Sequence, residues 1–132
     1  MKYLLDTNIC IHYFKGDTKV SNRLQKEGFD KVVISEITLA ELYYGAEKSL
    51  RKESNLKVIE TFAENITAIP IYGALRIYGS EKARLKQKGT IISDLDLLIG
   101  ATAIAGNLIM VTRNVVEFQR LNGIQIENWI DD

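Results

Sequence analysis

What the chain lacks narrows its range of functions. Its 132 residues include one cysteine, and 17 basic residues balance 17 acidic ones, so the formal net charge is zero. The single cysteine, Cys10, excludes an internal disulfide. Without a net positive charge the chain cannot coat nucleic acid through bulk electrostatics, so any contact with nucleic acid must come from a local patch.

Three sequence signals are also missing. No apolar run approaches the roughly 20 residues needed to cross a bilayer. The start of the chain lacks the basic-then-apolar pattern of a signal peptide, so we expect a cytoplasmic protein with no membrane association. The chain contains neither a GxGxxG turn nor a GxxxxGK[ST] loop, which argues against nucleotide binding.

Strand-like and helix-like segments alternate along the chain. Short apolar runs predict strands at residues 3–5, 31–34, 67–71, 108–111 and 125–127. Apolar spacing and capping residues predict helices at residues 9–14, 18–26, 36–48, 51–64, 73–88 and 94–105, with a helical turn over 116–121. This alternation implies right-handed crossovers and a mostly parallel sheet covered on both faces, so we expect one α/β domain over residues 1–132.

The first strand ends in Asp6, which Thr7 and Asn8 follow. In open α/β sheets ligands bind beyond the carboxyl ends of the strands, so an acid at this tip is placed for chemistry. The alternative is structural, because Asp6 or Thr7 can cap the next helix by accepting one of its free N–H groups.

Two further acids stand where the local pattern is apolar. Glu41 is the single charge in the segment 37–46, whose composition predicts a largely buried helix. Asp96 lies in the first turn of another apolar helix, two residues after Asp94. A buried carboxylate is costly unless it is paired, hydrogen-bonded or bound to a metal. An ion pair is the alternative for Glu41, and the helix dipole suffices to explain Asp94.

A glycine follows each of these acids at a distance of four residues. Gly45 stands four residues after Glu41, and Gly100 four residues after Asp96. Positions i and i+4 share one face of a helix, so each acid has an open notch beside it. The notch can admit a metal ion or a substrate phosphate, or the glycine can simply permit close helix packing, and the sequence leaves both open.

Asp6, Glu41 and Asp96 can converge at one edge of the sheet. Two such carboxylates 4 Å apart repel each other by about 1 kcal/mol in water and about 4 kcal/mol at an effective dielectric near 20. A bound cation would offset this repulsion between the carboxylates. Ligands that are all oxygen select Mg²⁺ first and Mn²⁺ next and disfavour zinc. Such an ion can activate a coordinated water and offset charge on a phosphodiester during hydrolysis.

Four blocks of sequence, in this order and at these separations, resemble the PIN-domain ribonucleases and, among them, the VapC toxins of bacterial and archaeal toxin–antitoxin pairs. The blocks are LDTN at 5–8, ITLAELYYGA at 37–46, DLLIGA at 96–101, and VTRN at 111–114 with Glu117 and Phe118. The closing IENW at 126–129 is also similar to the usual ending of the family. The resemblance extends over essentially the whole chain.

The resemblance implies an α/β/α sandwich in which Asp6, Glu41 and Asp96 hold the metal. It also implies supporting roles in the same site, which we assign to Thr7, Asn8, Asp94, Thr112 and Asn114. The family often has a fourth acid at the position that aligns with Asn114. The neutral amide puts a second metal site in doubt, although Asp94 or Glu117 can supply charge from nearby.

The resemblance further implies metal-dependent endonucleolytic cleavage of RNA and toxicity through lost translation. The segment 37–49 and the junction at 88–90 look most similar to enterobacterial members that cut initiator tRNA in its anticodon stem-loop. A VapB-type antitoxin is the expected partner, with its tail lying over the apolar surface of the first helices and blocking the acidic site. A homodimer is also expected.

The basic residues give candidate contacts to RNA. Lys82, Arg84 and Lys86 follow one predicted helix and can track an RNA backbone, or they can form an ordinary solvated helix face. Arg113 stands next to the proposed site and is the better candidate for a phosphate contact.

Other functions fit the residues less well. A response-regulator receiver needs a phosphoacceptor aspartate at the third strand, where Ile69-Pro70-Ile71 stands. A haloacid-dehalogenase-type phosphatase needs an aspartate two residues after Asp6, where Asn8 stands. The alternative from a different class is a non-catalytic PIN scaffold that binds RNA or a protein partner, which the retention of all three acids disfavours.

Overall fold

The computed structural model describes residues 2–131. Five strands form one sheet: Tyr3–Leu5 (β1), Val32–Ser35 (β2), Thr67–Ile69 (β3), Ile109–Val111 (β4) and Gln125–Glu127 (β5). Their order across the sheet is β3-β2-β1-β4-β5, and every neighbouring pair is parallel. Because β1 is the central strand, the residue that follows it lies in the middle of the carboxyl edge of the sheet.

Helices connect the strands. The described residues form the α-helices Thr7–Phe14 (α1), Thr18–Glu27 (α2), Glu36–Glu47 (α3), Lys52–Asn65 (α4), Leu75–Lys88 (α5), Asp94–Ala105 (α6) and Val115–Phe118 (α7). Single turns of 3₁₀ helix lie at Phe29–Lys31 and Tyr72–Ala74. None of the described helices is long and apolar enough to cross a membrane.

The alternation of side chains along the strands separates two hydrophobic cores. Tyr3 and Leu5 point to one face of the sheet, where they pack with residues of α1, α2, α4 and the C-terminal Trp129. Leu4 points to the other face and packs with α5, α6 and α7. Both faces of the inner strands are therefore buried, which is why these strands read as continuous apolar runs.

The predicted α/β architecture with a parallel sheet is confirmed, with shifts at the ends of elements. Strand β3 ends before Pro70, which lacks an N–H for the ladder. The helix predicted from Gly73 begins as a 3₁₀ turn and becomes α-helical at Leu75. The prediction that α3 is largely buried is wrong: α3 packs on α1, α4 and α6, but its buried residues are Thr38, Leu42 and Ala46, and Tyr43 and Tyr44 are exposed.

The two glycines that follow the acids have different surroundings. A methyl group added at Gly100 would overlap Cδ1 of Leu121 and lie 3.3 Å from Cδ1 of Phe118. A methyl group added at Gly45 would meet no protein atom within 4 Å. Gly100 is therefore required for the packing of α6 against the segment that follows α7, whereas packing within the fold does not require Gly45.

We expect Gly100→Ala and Gly45→Ala to change stability in opposite directions. Overpacking at Gly100 should lower the free energy of unfolding by about 1–3 kcal/mol. The same change at Gly45 should raise it by up to about 1 kcal/mol, because alanine has the better helix propensity and the space is open. Urea unfolding of both variants measures the two effects, and a loss of equal size at both positions would refute this distinction.

Candidate active site

Asp6 occupies the tip of β1 and also caps α1. Its Oδ1 accepts a hydrogen bond from the backbone N–H of Thr7 at 2.8 Å. Its Oδ2 accepts one from the hydroxyl of Thr112, at the tip of β4, also at 2.8 Å. The side chain of Asp6 is buried, with 4% of the residue exposed. Asp6 can therefore be both a helix cap and a site residue, because the same carboxylate caps α1 and lies at the sheet edge.

Burial raises the pKa of Asp6 from its ordinary value of 3.8 to about 6. Desolvation is the main cause, because the charged carboxylate loses water. The hydrogen bonds from Thr112 and Thr7 lower the pKa in part, and the charges of Asp96 and Glu41 raise it further. The charges of both acids therefore act on Asp6.

Glu41 is joined to the same site through Thr7. The hydroxyl oxygen of Thr7 lies 2.7 Å from Oε1 of Glu41 and 3.1 Å from the hydroxyl of Thr38. One hydroxyl proton can serve only one acceptor, so Thr7 donates to the carboxylate and accepts from Thr38. Within residues 2–131 no lysine or arginine forms a salt bridge with Glu41, so the alternative of an ion pair is not observed.

Asp96 lies in the first turn of α6, where Ser93 is the N-cap and accepts from its backbone N–H. The side chain is half-buried, and desolvation raises the pKa of its carboxyl group. Hydrogen bonding with Ser93 lowers this pKa in part, whereas the nearby charge of Glu117 raises it. The charge of Glu117 therefore acts on Asp96, as the charges of Asp96 and Glu41 act on Asp6.

The alternatives for the fourth acidic position differ in their contacts. Asp94 is exposed and accepts from Lys82 Nζ and the Tyr78 hydroxyl, each at 2.9 Å, and the Lys82 bond chiefly holds its pKa below the ordinary value. Asp94 thus ties α6 to α5, whereas Glu117 is the acid whose charge raises the pKa of Asp96. The N–H of Asn114 donates to the Thr112 hydroxyl at 2.9 Å, which places Asn114 next to the group that holds Asp6.

The candidate RNA contacts differ in whether other residues already form salt bridges or hydrogen bonds with them. The ammonium group of Lys82 pairs with Asp94. Arg84 donates to both oxygens of the buried Glu81 and to the carbonyl of Arg120, so we withdraw it as an RNA contact. Among the described residues, Lys86 has no salt-bridge partner.

Two further candidates lie on the rim of the site. Arg113 pairs with Asp131 at 3.1 Å on the exposed rim, next to Thr112. Asn8 is exposed on the first turn of α1. Both residues remain predictions for contacts with substrate.

The acids lie towards one edge of the sheet, but their carboxylates do not converge on one point. Across residues 2–131, no three Asp, Glu, His or Cys side chains form a group with the spacing of a metal site. The groups present are nevertheless carboxylate, hydroxyl and amide oxygens, and these suit a hard divalent cation. The buried Asp6, whose pKa the neighbouring acids raise, is the kind of group that a cation would stabilise. The residues therefore fit such an ion in chemistry.

Comparison with known proteins decides the family. The model of the PIN domain matches residues 3–124. Ribonuclease VapC2 of Haemophilus influenzae is 40% identical over 134 residues, an alignment that covers 98% of this chain and 99% of that protein. This chain belongs to the VapC ribonucleases of the PIN-domain family. The resemblance stated from the sequence is confirmed, and membership of the VapC family also bears out the expected class of enzyme, a nuclease.

Other VapC relatives are similar over the same length. The tRNA(fMet)-specific endonuclease VapC of Salmonella typhimurium is 38% identical, with 98% of each chain covered. The crystal structure of DNA-bound VapBC from Salmonella typhimurium superposes with a TM-score of 0.92 at 39% identity, covering 98% of both chains. VapBC2 from Rickettsia felis, bound to a fragment of promoter DNA, gives a TM-score of 0.88 at 38% identity. The VapC fold therefore extends over nearly all of this chain.

Sequence reasoning missed Thr38 in this VapC site. Thr38 is fully buried, and its hydroxyl lies beside that of Thr7. The sequence does contain a signal for this contact, because Thr38 stands three residues before Glu41 and such positions share a helix face. A threonine and an acid at this spacing, on a helix with few other polar residues, indicate a shared polar contact.

We expect the stability of the metal-free protein to fall as pH rises from about 4 to 6. The folded pKa of Asp6 is about 6 against an ordinary 3.8, so the folded state binds more protons in this window. By pH 7 the ionised carboxylate should cost about 3 kcal/mol. Asp6→Asn should therefore raise the free energy of unfolding by up to this amount at pH 7 and flatten its pH dependence.

Urea unfolding in EDTA at pH 4, 5, 6 and 7 measures this effect. Asp94→Asn is the matched control, because Asp94 is exposed and its pKa is lowered, so this variant should gain no stability at pH 7. A loss of stability at pH 7 in Asp6→Asn, or an unchanged pH profile, would contradict the assigned electrostatics.

Proposed function

We propose that this chain is a Mg²⁺-dependent endoribonuclease of the cytoplasm and the toxin of a toxin–antitoxin pair, and that residues 1–132 form one PIN domain. The observation that carries the proposal is the buried carboxylate of Asp6 at the sheet edge, whose pKa is raised further by the charges of Asp96 and Glu41. Membership in the VapC ribonucleases supports the same reaction. Mn²⁺, which has similar ligand preferences, is the second candidate ion.

The acids have separate tasks in this proposal. Asp6, Glu41 and Asp96 would hold the cation, and Glu117 would add a fourth charge in place of Asn114. A divalent cation, when bound, polarises a water molecule and offsets the charge of the phosphodiester. Thr112 and Thr7 hold the carboxylates of Asp6 and Glu41 in fixed orientations, so little reorganisation is needed when the substrate arrives.

The proposed substrate is initiator tRNA, cut in the anticodon stem-loop. Support comes from two relatives named tRNA(fMet)-specific endonuclease VapC, from Salmonella typhimurium and Shigella flexneri, which are each 38% identical over 98% of this chain. Loss of initiator tRNA would stop translation, which is the expected basis of toxicity. The exposed Lys86 and Arg113 are candidates for contacts to the phosphates that flank the cleaved bond.

The proposed partner is a VapB-type antitoxin, as in the VapBC complexes to which this chain is similar. A groove of about 600 Å³ between α1 and α4 is lined by aromatic residues that include Tyr13, Phe29 and Phe62. A second groove of about 320 Å³ shares Phe14 and Val58 with the first. An apolar segment of the partner can follow both grooves over the first helices, as the resemblance implies.

The second groove reaches one of the acids, because Glu41 and Gly45 line it. Gly45 keeps this space open at a cost in helix propensity, and nothing within the fold fills the space. A partner segment in the groove would therefore block the acidic site. We also propose a homodimer, as expected from the family.

The test is incubation of the purified chain with a panel of tRNAs that includes initiator tRNA, in Mg²⁺, Mn²⁺ or EDTA. We expect discrete fragments of initiator tRNA in Mg²⁺ and none in EDTA. Asp96→Asn should reduce the rate by at least about 100-fold, because it removes a charge that the reaction needs. Asp94→Asn is the control on the same helix and should retain most of the activity.

The fragments distinguish the remaining possibilities. Cleavage of other tRNAs at equal rates would overturn the proposed substrate while leaving the nuclease in place. If the wild-type chain cleaves neither tRNA nor ribosomal RNA in any metal, the nuclease proposal fails and the non-catalytic scaffold is the better account.

A further inference from the structure

Tyr44 is an aromatic side chain that the fold does not use. It lies on α3 with 67% of the residue exposed. Within residues 2–131 its hydroxyl group has no hydrogen-bond partner, unlike that of Tyr78, which donates to Asp94. A single exposed aromatic ring is ordinary on a protein surface, so its role depends on the groups beside it.

Lys48 lies against Tyr44 and carries a charge that the described residues do not neutralise. Its Nζ is 4.9 Å from the centroid of the Tyr44 ring, within the range of a cation–π contact. Its neighbour in sequence, Glu47, pairs instead with Lys52 at 3.0 Å. Over residues 2–131, no carboxylate lies within salt-bridge distance of Lys48. The ammonium group is thus held in place and available to an anion.

Tyr44 and Lys48, the C-cap residue of α3, continue the stripe of the helix that begins at Glu41. Their positions are i+3 and i+7 relative to the acid, which is the spacing of one helix face. At 1.5 Å per residue, Tyr44 lies about 4.5 Å and Lys48 about 10.5 Å beyond Glu41 along the helix axis. A ligand that reaches from the acidic site along this stripe meets an aromatic face first and a cation second.

Resting on the proposed nuclease function, we propose that Tyr44 and Lys48 position the RNA substrate. A nucleobase next to the cleaved phosphodiester stacks on the face of the Tyr44 ring that Lys48 leaves open. Lys48 binds a phosphate of the same strand. Aromatic stacking of a base beside a cation that binds the backbone is how proteins hold single-stranded RNA, and the loop of a stem-loop presents such bases.

The chemistry of the stripe favours RNA over a protein partner. Only the second of the two apolar grooves reaches α3, where Leu42 and Ala46 line it beside Glu41. Neither Tyr44 nor Lys48 lines either groove. RNA is polyanionic and offers π-faces, and these match an unneutralised ammonium group beside an exposed ring. Tyr44 and Lys48 are therefore positioning residues for substrate, separate from the acids that carry the reaction.

The test measures RNA affinity and cleavage with the full chain. We would measure the dissociation constant for the initiator tRNA anticodon stem-loop by fluorescence anisotropy, with Asp96→Asn present in every chain to prevent cleavage. We expect Tyr44→Ala to weaken binding by about 5- to 100-fold, as for the loss of one stacked base. Tyr44→Phe should bind as the parent does, because stacking needs the ring and not the hydroxyl. Lys48→Gln should weaken binding and lower the slope of log affinity against log salt by about 1.

Tyr43→Ala is the matched control, because Tyr43 is an exposed neighbour that lies off the i, i+3, i+7 stripe of Glu41, Tyr44 and Lys48. Its affinity should match the parent. In chains with Asp96 intact, Tyr44→Ala should raise KM by a similar factor and change kcat less than twofold. The thermal midpoint of Tyr44→Ala should equal that of wild type, because the side chain contributes little to the core.

The outcomes separate this inference from the proposed function. Equal RNA affinity of Tyr44→Ala and its parent overturns the inference, even where the wild-type chain cleaves RNA. Equal RNA affinity together with lost binding of a VapB-type partner or of a second copy overturns it in favour of a protein contact. Reduced affinity with rescue by Tyr44→Phe supports the inference, including the case in which no chain cleaves RNA.

Discussion

The site depends on one energetically unfavourable feature, the burial of the Asp6 carboxylate at the tip of the central strand. Burial raises its pKa to about 6, and two further acids add to this shift. Two neutral donors, the Thr7 N–H and the Thr112 hydroxyl, offset part of the cost but add no positive charge. A fold selected only for stability would place an apolar or neutral residue here, so the retained carboxylate indicates a need for charge.

The parallel sheet explains why the acids meet at all. Strands β1, β2 and β4 end at the same edge, and the residues that follow them begin α1, α3 and the turn to α7. Asp6, Glu41 and Glu117 thus come from distant parts of the sequence to one side of the molecule, and α6 contributes Asp96 at its first turn. The carboxylates of Asp6 and Glu41 are held by the hydroxyl groups of Thr112 and Thr7 rather than by basic residues, so their charge remains available to a cation.

Most of the fold could be predicted from the sequence, because strand and helix periods alternate clearly and caps such as Ser35 and Ser93 mark helix starts. The three acids could be singled out because each interrupts an apolar pattern. The sequence did not reveal which side chains the fold engages. By sequence Arg84 is a candidate RNA contact, but in the structure its guanidinium group pairs with Glu81. By sequence Asp94 and Glu117 are both candidates for the fourth acid, but in the structure Asp94 pairs with Lys82. These outcomes depend on contacts between segments, which local patterns do not contain.

The central claim is that the acids around Asp6 form a cation site. The most direct test is the thermal unfolding midpoint of the wild-type chain as Mg²⁺ or Mn²⁺ rises from zero to 10 mM, with Asp6→Asn measured in parallel. A cation that binds only the folded state should raise the wild-type midpoint progressively with concentration, and the variant should respond much less. An unchanged wild-type midpoint, or an equal rise in both proteins, would contradict the claim.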